Sequence, residues 1–247
     1  AMEATLANTV EPGDTVLVAV KGYFGNRLMD MAGRYRANVQ VIEKPWGEAF
    51  TLEELEAGIK KHKPAILAMV HAETSTGICQ PMDGVGDLCR EHDCLLLLDT
   101  VTSLGGVPLY LDAWKVDLAY SCSQKGLSCP PGLGPFTMGP RAEAKLSARQ
   151  DKVPNWYLDV SLLNQYWGSD RVYHHTAPVN MNFGMREALR LLAEEGLENA
   201  WARHRRNAEA LWTGLESLGL EMHVPEELRL PTLTTVRIPP DVDGKAF

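Results

Sequence analysis

The chain has 247 residues, of which 45% are hydrophobic and 23% are charged, and its formal net charge is -8. This composition is that of a globular protein with a sizeable core, and it excludes an intrinsically disordered chain. The acidic balance gives no support to a nucleic-acid partner, which would need a basic surface. The basic cluster Arg203, Arg205 and Arg206 is better explained as a solvated helix face.

Cysteine usage and hydropathy narrow the class of protein further. The five cysteines include no C-x-x-C pair, so we predict neither a disulfide framework nor a zinc site. This pattern is typical of a reducing compartment, and we expect a cytoplasmic protein. The apolar runs, such as that at 94–98, are far shorter than the roughly 20 residues that span a bilayer, so we expect no membrane association.

The two ends of the chain resemble interrupted helices. Residues Ala1 to Leu6 have the pattern of the middle of an amphipathic helix, and no helix-start signal precedes them. The residues after Asp243 have the pattern of a helix in its first turn. We therefore expect a fragment of a longer protein, with any targeting signal outside it.

Short runs rich in Val, Ile and Leu alternate with helical patterns as far as Cys122. In chain order, a strand is predicted at 14–20, a helix at 24–36, a strand at 39–42, a helix at 51–62, a strand at 65–70, a helix at 83–91, and strands at 94–98 and 117–122. Thr51 and Glu54 form a capping box at the start of the second helix. Because the strands are apolar on both faces, the alternation predicts an α/β fold with a mostly parallel sheet covered by helices.

After Pro140 the pattern is mainly helical, with helices predicted at 157–167, 185–195 and 198–218. Two short strands are predicted at 220–224 and 233–238. We therefore expect a large domain over residues 1–218 and the beginning of a smaller α+β domain over residues 219–247.

Asp99 and Lys125 are the leading candidates for chemistry, because ligands of open parallel sheets bind beyond the carboxyl ends of the strands. Asp99 follows four leucines, and a carboxylate in such apolar surroundings costs free energy unless a cation meets it. It is either a cap for the next turn or the partner of a protonated pyridine nitrogen. Lys125 is the only charge between Asp117 and Arg141. With restricted access to solvent, its neutral amine would attack an aldehyde.

Three sequence runs together resemble the class V aminotransferases of fold type I, and most closely the alanine–glyoxylate and serine–pyruvate aminotransferase group. The runs are LDTVTSLGG at 98–106, YSCSQK at 120–125 and YHHTAP at 173–178. The resemblance covers essentially the whole chain. It implies a three-layer sandwich around a mostly parallel central sheet, as in the large domain of fold type I transferases that depend on pyridoxal phosphate.

The same resemblance implies that the chain binds pyridoxal 5′-phosphate. Lys125 would form the Schiff base and then move the proton of the substrate α-carbon, while Asp99 would pair with the ring nitrogen. The other contacts that it implies are a hydroxyl on the phenolic oxygen from Thr74, a stacked ring from Phe24, a phosphate-side contact from Gln124, and contacts to the phosphate of the opposite subunit from Tyr173 and Thr176. The last two imply a homodimer.

Several of these residues also have plain structural explanations. Thr74 is of a type that stabilises turns, and Phe24 is of a type that fills cores. The adjacent His174 and His175 suggest a metal pair, but they point in different directions and no third ligand is evident, so we predict no metal site.

The resemblance implies transfer of an amino group from a small amino acid, alanine or serine, to a 2-oxo acid such as glyoxylate or pyruvate. It places the Gly-rich phosphate loop before Ala1 and the substrate-binding arginine after Phe247, so we expect this fragment alone to be inactive.

Alternative functions remain within and outside this class. Another class V enzyme could be a phosphonate aminotransferase, a lyase or a desulfurase, although no cysteine lies in an evident flexible loop. A catalytically silent homologue would be expected to lack Lys125 or Asp99, and both are present. A nicotinamide dehydrogenase is disfavoured because no G-x-G-x-x-G follows the first strand.

Overall fold

The computed structural model describes residues 1–244, and a six-stranded sheet lies at its centre. Its strands are β1 (Thr15–Val20), β2 (Asn38–Glu43), β3 (Ile66–Val70), β6 (Leu95–Asp99), β7 (Leu118–Tyr120) and β8 (Phe136–Met138). A separate antiparallel ribbon pairs β4 (Ala72–Glu73) with β5 (Ile78–Cys79). The order in the sheet is β2-β1-β3-β6-β7-β8, with β8 antiparallel at one edge and the other pairs parallel.

Eight α-helices accompany these strands within residues 1–244. They are α1 (Met2–Thr9), α2 (Tyr23–Arg34), α3 (Leu52–His62), α4 (Val85–Glu91), α5 (Pro140–Ser147), α6 (Val160–Trp167), α7 (Val179–Glu195) and α8 (Leu197–Ser217). The predicted capping box of α3 is confirmed, since Glu54 N donates to Thr51 Oγ1 at 3.3 Å and Thr51 N donates to the Glu54 carboxylate at 2.9 Å. No helix of residues 1–244 is long and apolar enough to cross a membrane.

Alternate residues of the central strands supply the cores on the two faces of the sheet. Val18 of β1 packs in one core cluster, and its neighbours Leu17 and Ala19 pack in the other. β3 and β6 are buried along their whole length. The predicted α/β class and the mostly parallel sheet are therefore confirmed.

Some predicted elements differ from the structure. Helix α1 is buried continuously from Ala4 to Thr9, so its predicted amphipathic character is wrong. The strands predicted at 220–224 and 233–238 do not form, and a single bridge joins Met222 to Val236, because the two segments pair only with each other and a two-stranded pair is marginal. The helix predicted after Asp243 falls mostly on residues 245–247, outside the described residues. The domain boundary at 218/219 stays a prediction.

The order of the strands reverses at β1, and this reversal creates a crevice. From β1 the chain passes through α2 to β2 on one side, and later through α3 to β3 on the other. Parallel sheets bind ligands at the carboxyl ends of the strands that flank such a point. Residues that follow β1, β3 and β6 therefore face one crevice.

Candidate active site

Asp99 ends β6 in the middle of the sheet, where it pairs in register with Val70 of β3 and Tyr120 of β7. Its side chain is only 3% exposed. Oδ1 accepts a hydrogen bond from Val101 N at 2.8 Å, and Oδ2 accepts one from the Tyr120 hydroxyl at 2.6 Å. Burial raises the pKa of Asp99 to about 6, and the two hydrogen bonds oppose this rise. The carboxylate therefore has a fixed orientation, and keeping it ionised in this buried position costs free energy.

The cap that was the structural alternative for Asp99 is present, but it accounts for only one oxygen. The bond from Val101 N uses Oδ1 and stabilises the turn that follows β6. Oδ2 is held by Tyr120 instead. Both oxygens therefore have a partner within the protein, and the turn cap explains only one of the two bonds.

Lys125 lies in the turn that follows β7, and main-chain packing fixes this turn against the turn that follows β6. A Cβ on Gly105 would lie 2.9 Å from the Gly126 carbonyl oxygen, and one on Gly126 would collide with the Leu104 carbonyl oxygen. The Asp99 and Lys125 turns are thus held together by glycine backbone. Both charges act on the pKa of the Cys122 thiol, in opposite directions, which places them around the same site.

The Lys125 side chain is exposed, so the expectation of restricted solvent is wrong for the described residues. Its neighbours in the turn are small and leave it uncovered. It borders a cavity of about 390 Å³ that Thr102 and Thr232 also line. An open cavity beside a lysine leaves room for a ligand to cover it.

Thr74 and Phe24 lie beside the same crevice. Thr74 Oγ1 and Thr102 Oγ1 share a hydrogen bond at 3.4 Å, which links Thr74 to the cavity of Lys125. Phe24 is the second residue of α2, is half-buried, and packs against the core, as its structural alternative predicted. Its ring also lies 5.1 Å from the Arg27 guanidinium carbon. The core therefore covers the ring only in part.

The structure does not bring the remaining predicted residues to Asp99 within this chain. Gln124 is exposed next to Lys125. Tyr173 is 71% exposed, and its hydroxyl bonds the Thr176 hydroxyl at 3.1 Å. Within residues 1–244 no hydrogen bond joins Tyr173 or Thr176 to Lys125 or Asp99. Their role toward an opposite subunit stays a prediction.

The two histidines of the same segment form part of an aromatic cluster. His174 stacks on Trp156 with ring centroids 4.3 Å apart and an interplanar angle of 4°. Its Nδ1 lies 2.9 Å from Nδ1 of His175. These contacts give the pair a structural role in shaping the 171–178 segment.

Three site residues were not predicted from the sequence: Lys21, Glu73 and Tyr120. Lys21 follows β1 and is 1% exposed, and its Nζ donates to the Val70 carbonyl oxygen. Glu73 is fully buried at the end of β4. The signal for Lys21 was available, because it ends an apolar strand as Asp99 does. The position of Tyr120 opposite Asp99 follows only from the pairing of β6 with β7.

Comparisons with known proteins agree with this geometry. The family model of class V aminotransferases matches residues 1–245. The chain belongs to the class V aminotransferases. Alanine–glyoxylate aminotransferase of Callithrix jacchus is 46% identical over 249 residues, which cover 99% of this chain and 60% of that protein.

Solved structures of class V aminotransferases have the same fold. Alanine–glyoxylate aminotransferase from Nostoc sp. is 68% identical with a TM-score of 0.98, over 99% of this chain and 65% of that one. Ureidoglycine–glyoxylate aminotransferase from Bacillus subtilis is 41% identical with a TM-score of 0.96, over 99% of this chain and 63% of that one. This class V chain therefore spans about three fifths of the length of the relatives that it matches.

Proposed function

We propose that the protein is a pyridoxal-phosphate-dependent aminotransferase that moves an amino group from alanine or serine to a 2-oxo acid such as glyoxylate or pyruvate. The observation that carries the proposal is Asp99, a buried and oriented carboxylate beside the turn of Lys125. The names of the similar proteins from Callithrix jacchus and Nostoc sp. support alanine and glyoxylate among these substrates.

The residues present fit this cofactor. A buried carboxylate with a raised pKa gains free energy when a cation approaches, and a protonated ring nitrogen is such a cation. A lysine suits an aldehyde, a half-buried phenylalanine suits an aromatic face, and a threonine hydroxyl suits a phenolic oxygen. When bound, the cofactor supplies an electron sink that stabilises negative charge at the substrate α-carbon.

Asp99 would hold the ring nitrogen in its protonated form. Its carboxylate keeps one direction because Val101 N and Tyr120 Oη each bond one oxygen. An ionised carboxylate beside a cation raises the pKa of that cation. Asp99, at the end of β6, would thus keep the ring nitrogen of the cofactor protonated.

Lys125 would both attach the cofactor and move the proton. As a free amine, Lys125 would take the proton from the substrate α-carbon and later give it up again. The contact between Gly105 and Gly126 keeps the turn of Lys125 at a fixed position relative to the turn of Asp99. Correct placement of a base contributes much of the rate in such reactions.

We further propose that the active assembly is a homodimer. Tyr173 and Thr176 are exposed and hydrogen-bonded to each other, so both hydroxyls are available to a phosphate group that a second subunit would hold. Trp156, Trp167 and Phe183 are also more than half exposed, as expected for a surface that a partner covers.

Absorption spectroscopy of the full-length protein tests the proposal. Addition of pyridoxal 5′-phosphate should give a yellow absorption band that the Lys125→Ala variant lacks, and borohydride should fix the cofactor to the wild type alone. Lys61→Ala removes an exposed lysine of α3 and serves as the matched control. A colourless wild type, or a Lys125→Ala variant that keeps the covalent adduct, would refute the proposal.

A substrate panel then separates the chemistries open to this class. Alanine and serine should convert the bound cofactor to its amino form, and glyoxylate or pyruvate should restore it. Release of sulfide from cysteine, without this half-reaction, would indicate a desulfurase instead.

A further inference from the structure

Lys21 is a buried lysine for which the proposed reaction has no role. It lies at the carboxyl end of β1, the strand at which the sheet order reverses. Its side chain is 1% exposed, and its ammonium donates to the Val70 carbonyl oxygen. Burying an ammonium costs several kcal/mol unless negative charge lies nearby, so the crevice must contain its partners.

Glu73 is the first of these partners. A Cβ on Gly22, the residue after Lys21, would collide with the Glu73 side chain, so the Glu73 chain passes directly against this backbone. Its carboxylate accepts hydrogen bonds from Phe24 N at 3.2 Å and Gly25 N at 3.3 Å. Glu73 therefore lies at the N-terminus of α2, next to Lys21, and is fully buried.

Asp99 is the second buried carboxylate near Lys21. The carbonyl that accepts from the Lys21 ammonium belongs to Val70, and Val70 pairs in register with Asp99. Adjacent strands lie about 4.8 Å apart, so Asp99 is about one strand spacing from the residue whose carbonyl oxygen holds the ammonium. Burial lowers the pKa of Lys21, and the charges of Glu73 and Asp99 both oppose this, so both buried carboxylates lie near its ammonium.

The other titratable groups around Lys21 do not carry a competing charge. Burial lowers the pKa of His71 to about 3, and it raises the pKa of Cys79 to about 11, so both are neutral near pH 7. Tyr120 is neutral as well, because burial raises its pKa well above its ordinary value. Arg27 of α2 acts on Tyr120 and is exposed. Arg205 of α8 acts on Cys79 and is also exposed. Among the described residues around Lys21, the buried charges are therefore those of Lys21 itself, Glu73 and Asp99.

These charges act on the protonation of Asp99 in opposite directions. Glu73 raises the pKa of Asp99, and Lys21 lowers it. Burial lowers the pKa of Lys21 itself to about 8, so its ammonium is mostly charged at neutral pH. Removing Lys21 would leave two buried carboxylates without a cation, and one of them would take up a proton.

We propose that Lys21 is a positioning residue whose buried ammonium balances Glu73, so that Asp99 stays ionised and free to meet the ring nitrogen of the cofactor. The coupling of Lys21 to Glu73 follows from the apoprotein alone. The consequence for Asp99 rests on the proposed function.

Unfolding of the full-length protein without cofactor tests the first part. A double-mutant cycle uses Lys21→Met, Glu73→Gln and the double variant, with urea unfolding at pH 7.5. Lys21→Met should raise the equilibrium constant for unfolding in both backgrounds. The factor by which it does so should be at least about tenfold larger when Glu73 is present than in the Glu73→Gln variant. Lys145→Met, which removes a half-buried ammonium from its ion pair with Asp14, should show no coupling to Glu73→Gln. Equal effects of Lys21→Met in both backgrounds would overturn the proposal.

Cofactor binding tests the second part. Pyridoxine 5′-phosphate has no aldehyde and cannot bond to Lys125, so its affinity reports the ring and phosphate contacts alone. The affinity is measured between pH 5 and 9, and its pH midpoint is the pH below which binding is lost. This midpoint should rise by about one pH unit in Lys21→Met and fall in Glu73→Gln. Titration of the phosphate is common to all variants and cancels in this comparison.

The outcomes distinguish this proposal from the proposed function. A wild type that binds neither pyridoxal nor pyridoxine 5′-phosphate refutes the proposed function and the role of Lys21 toward Asp99. The double-mutant cycle on the apoprotein still shows whether Lys21 and Glu73 are coupled. A purely structural lysine would weaken stability without moving the pH midpoint. If Lys21→Met does not fold, the Glu73→Gln variant alone tests the proposal. Its pH midpoint should fall, and an unchanged midpoint overturns the proposal.

Discussion

The hydroxyl of Tyr120 donates a 2.6 Å hydrogen bond to Oδ2 of Asp99 across the ends of two adjacent strands. Both side chains are buried, so water cannot replace this bond if it is lost. The phenol therefore stabilises the ionised form of the carboxylate and fixes its direction.

Replacing Tyr120 with phenylalanine should weaken cofactor binding. A hydrogen bond to a charged group contributes about 1.5–3 kcal/mol, so we expect the affinity for pyridoxal 5′-phosphate to fall about tenfold or more. Equilibrium titration followed by absorption measures this change. Tyr110→Phe removes a phenol that is half exposed and should leave the affinity unchanged. Equal affinities of Tyr120→Phe and wild type would contradict the prediction.

The raised pKa of Asp99 should make the stability of the apoprotein depend on pH. Its pKa rises from 3.8 to about 6 on folding, so the folded state holds the proton more tightly than the unfolded state. The resulting stabilisation is complete below about pH 4 and is lost as the pH rises through about 6. The stability of wild type relative to Asp99→Asn should therefore fall by on the order of 3 kcal/mol across this window.

Urea unfolding of the two proteins at a series of pH values checks this slope. Asp30→Asn, on the exposed face of α2, provides the matched control and should show a difference from wild type that varies little with pH. A difference between wild type and Asp99→Asn that stays flat, or that rises with pH, would be the opposite of the expected result.

A methyl group at Gly126 should separate the turns of Lys125 and Asp99. The added Cβ would collide with the Leu104 carbonyl oxygen, and we expect a loss of about 1–3 kcal/mol in the free energy of unfolding. Covalent attachment of the cofactor at Lys125 should also slow, as measured by the rise of the yellow band. Gly214→Ala, at an open position of α8, should instead stabilise the protein by up to about 1 kcal/mol.

The capping box of α3 offers a test that is independent of the site. Thr51→Ala removes the acceptor for Glu54 N and should lower the free energy of unfolding by about 1 kcal/mol. Thr213→Ala, within exposed α8, removes a threonine hydroxyl that bonds only a helical carbonyl and should be close to neutral. A smaller loss for Thr51→Ala than for Thr213→Ala would contradict the cap.

Local patterns were enough to predict the sheet and the residues at its strand ends. Asp99 could be predicted because four leucines precede it, and the α/β class because strands and helices alternate. The hydrogen bond from Lys21 to Val70 could not be predicted, since it depends on β1 and β3 becoming neighbours after α3 has crossed the sheet. Long-range pairing of this kind leaves no trace in residue spacing.

The exposed lysine shows a second limit of sequence. The lack of other charges around Lys125 indicated an amine with little access to solvent. Burial depends instead on atoms that cover the turn, and the small neighbouring residues do not cover Lys125. The C-terminal strands failed for a related reason, because β propensity at 220–224 and 233–238 forms a sheet only when further strands are present to pair with.

The contact between Gly105 and Gly126 is made by main-chain atoms, and this has a consequence for how such an enzyme diversifies. Side chains on either turn can be exchanged during evolution without altering the spacing of lysine and carboxylate. A neighbour such as Cys122 is then free to change and to reshape the pocket. New substrates become accessible to a lineage whose reaction centre stays the same.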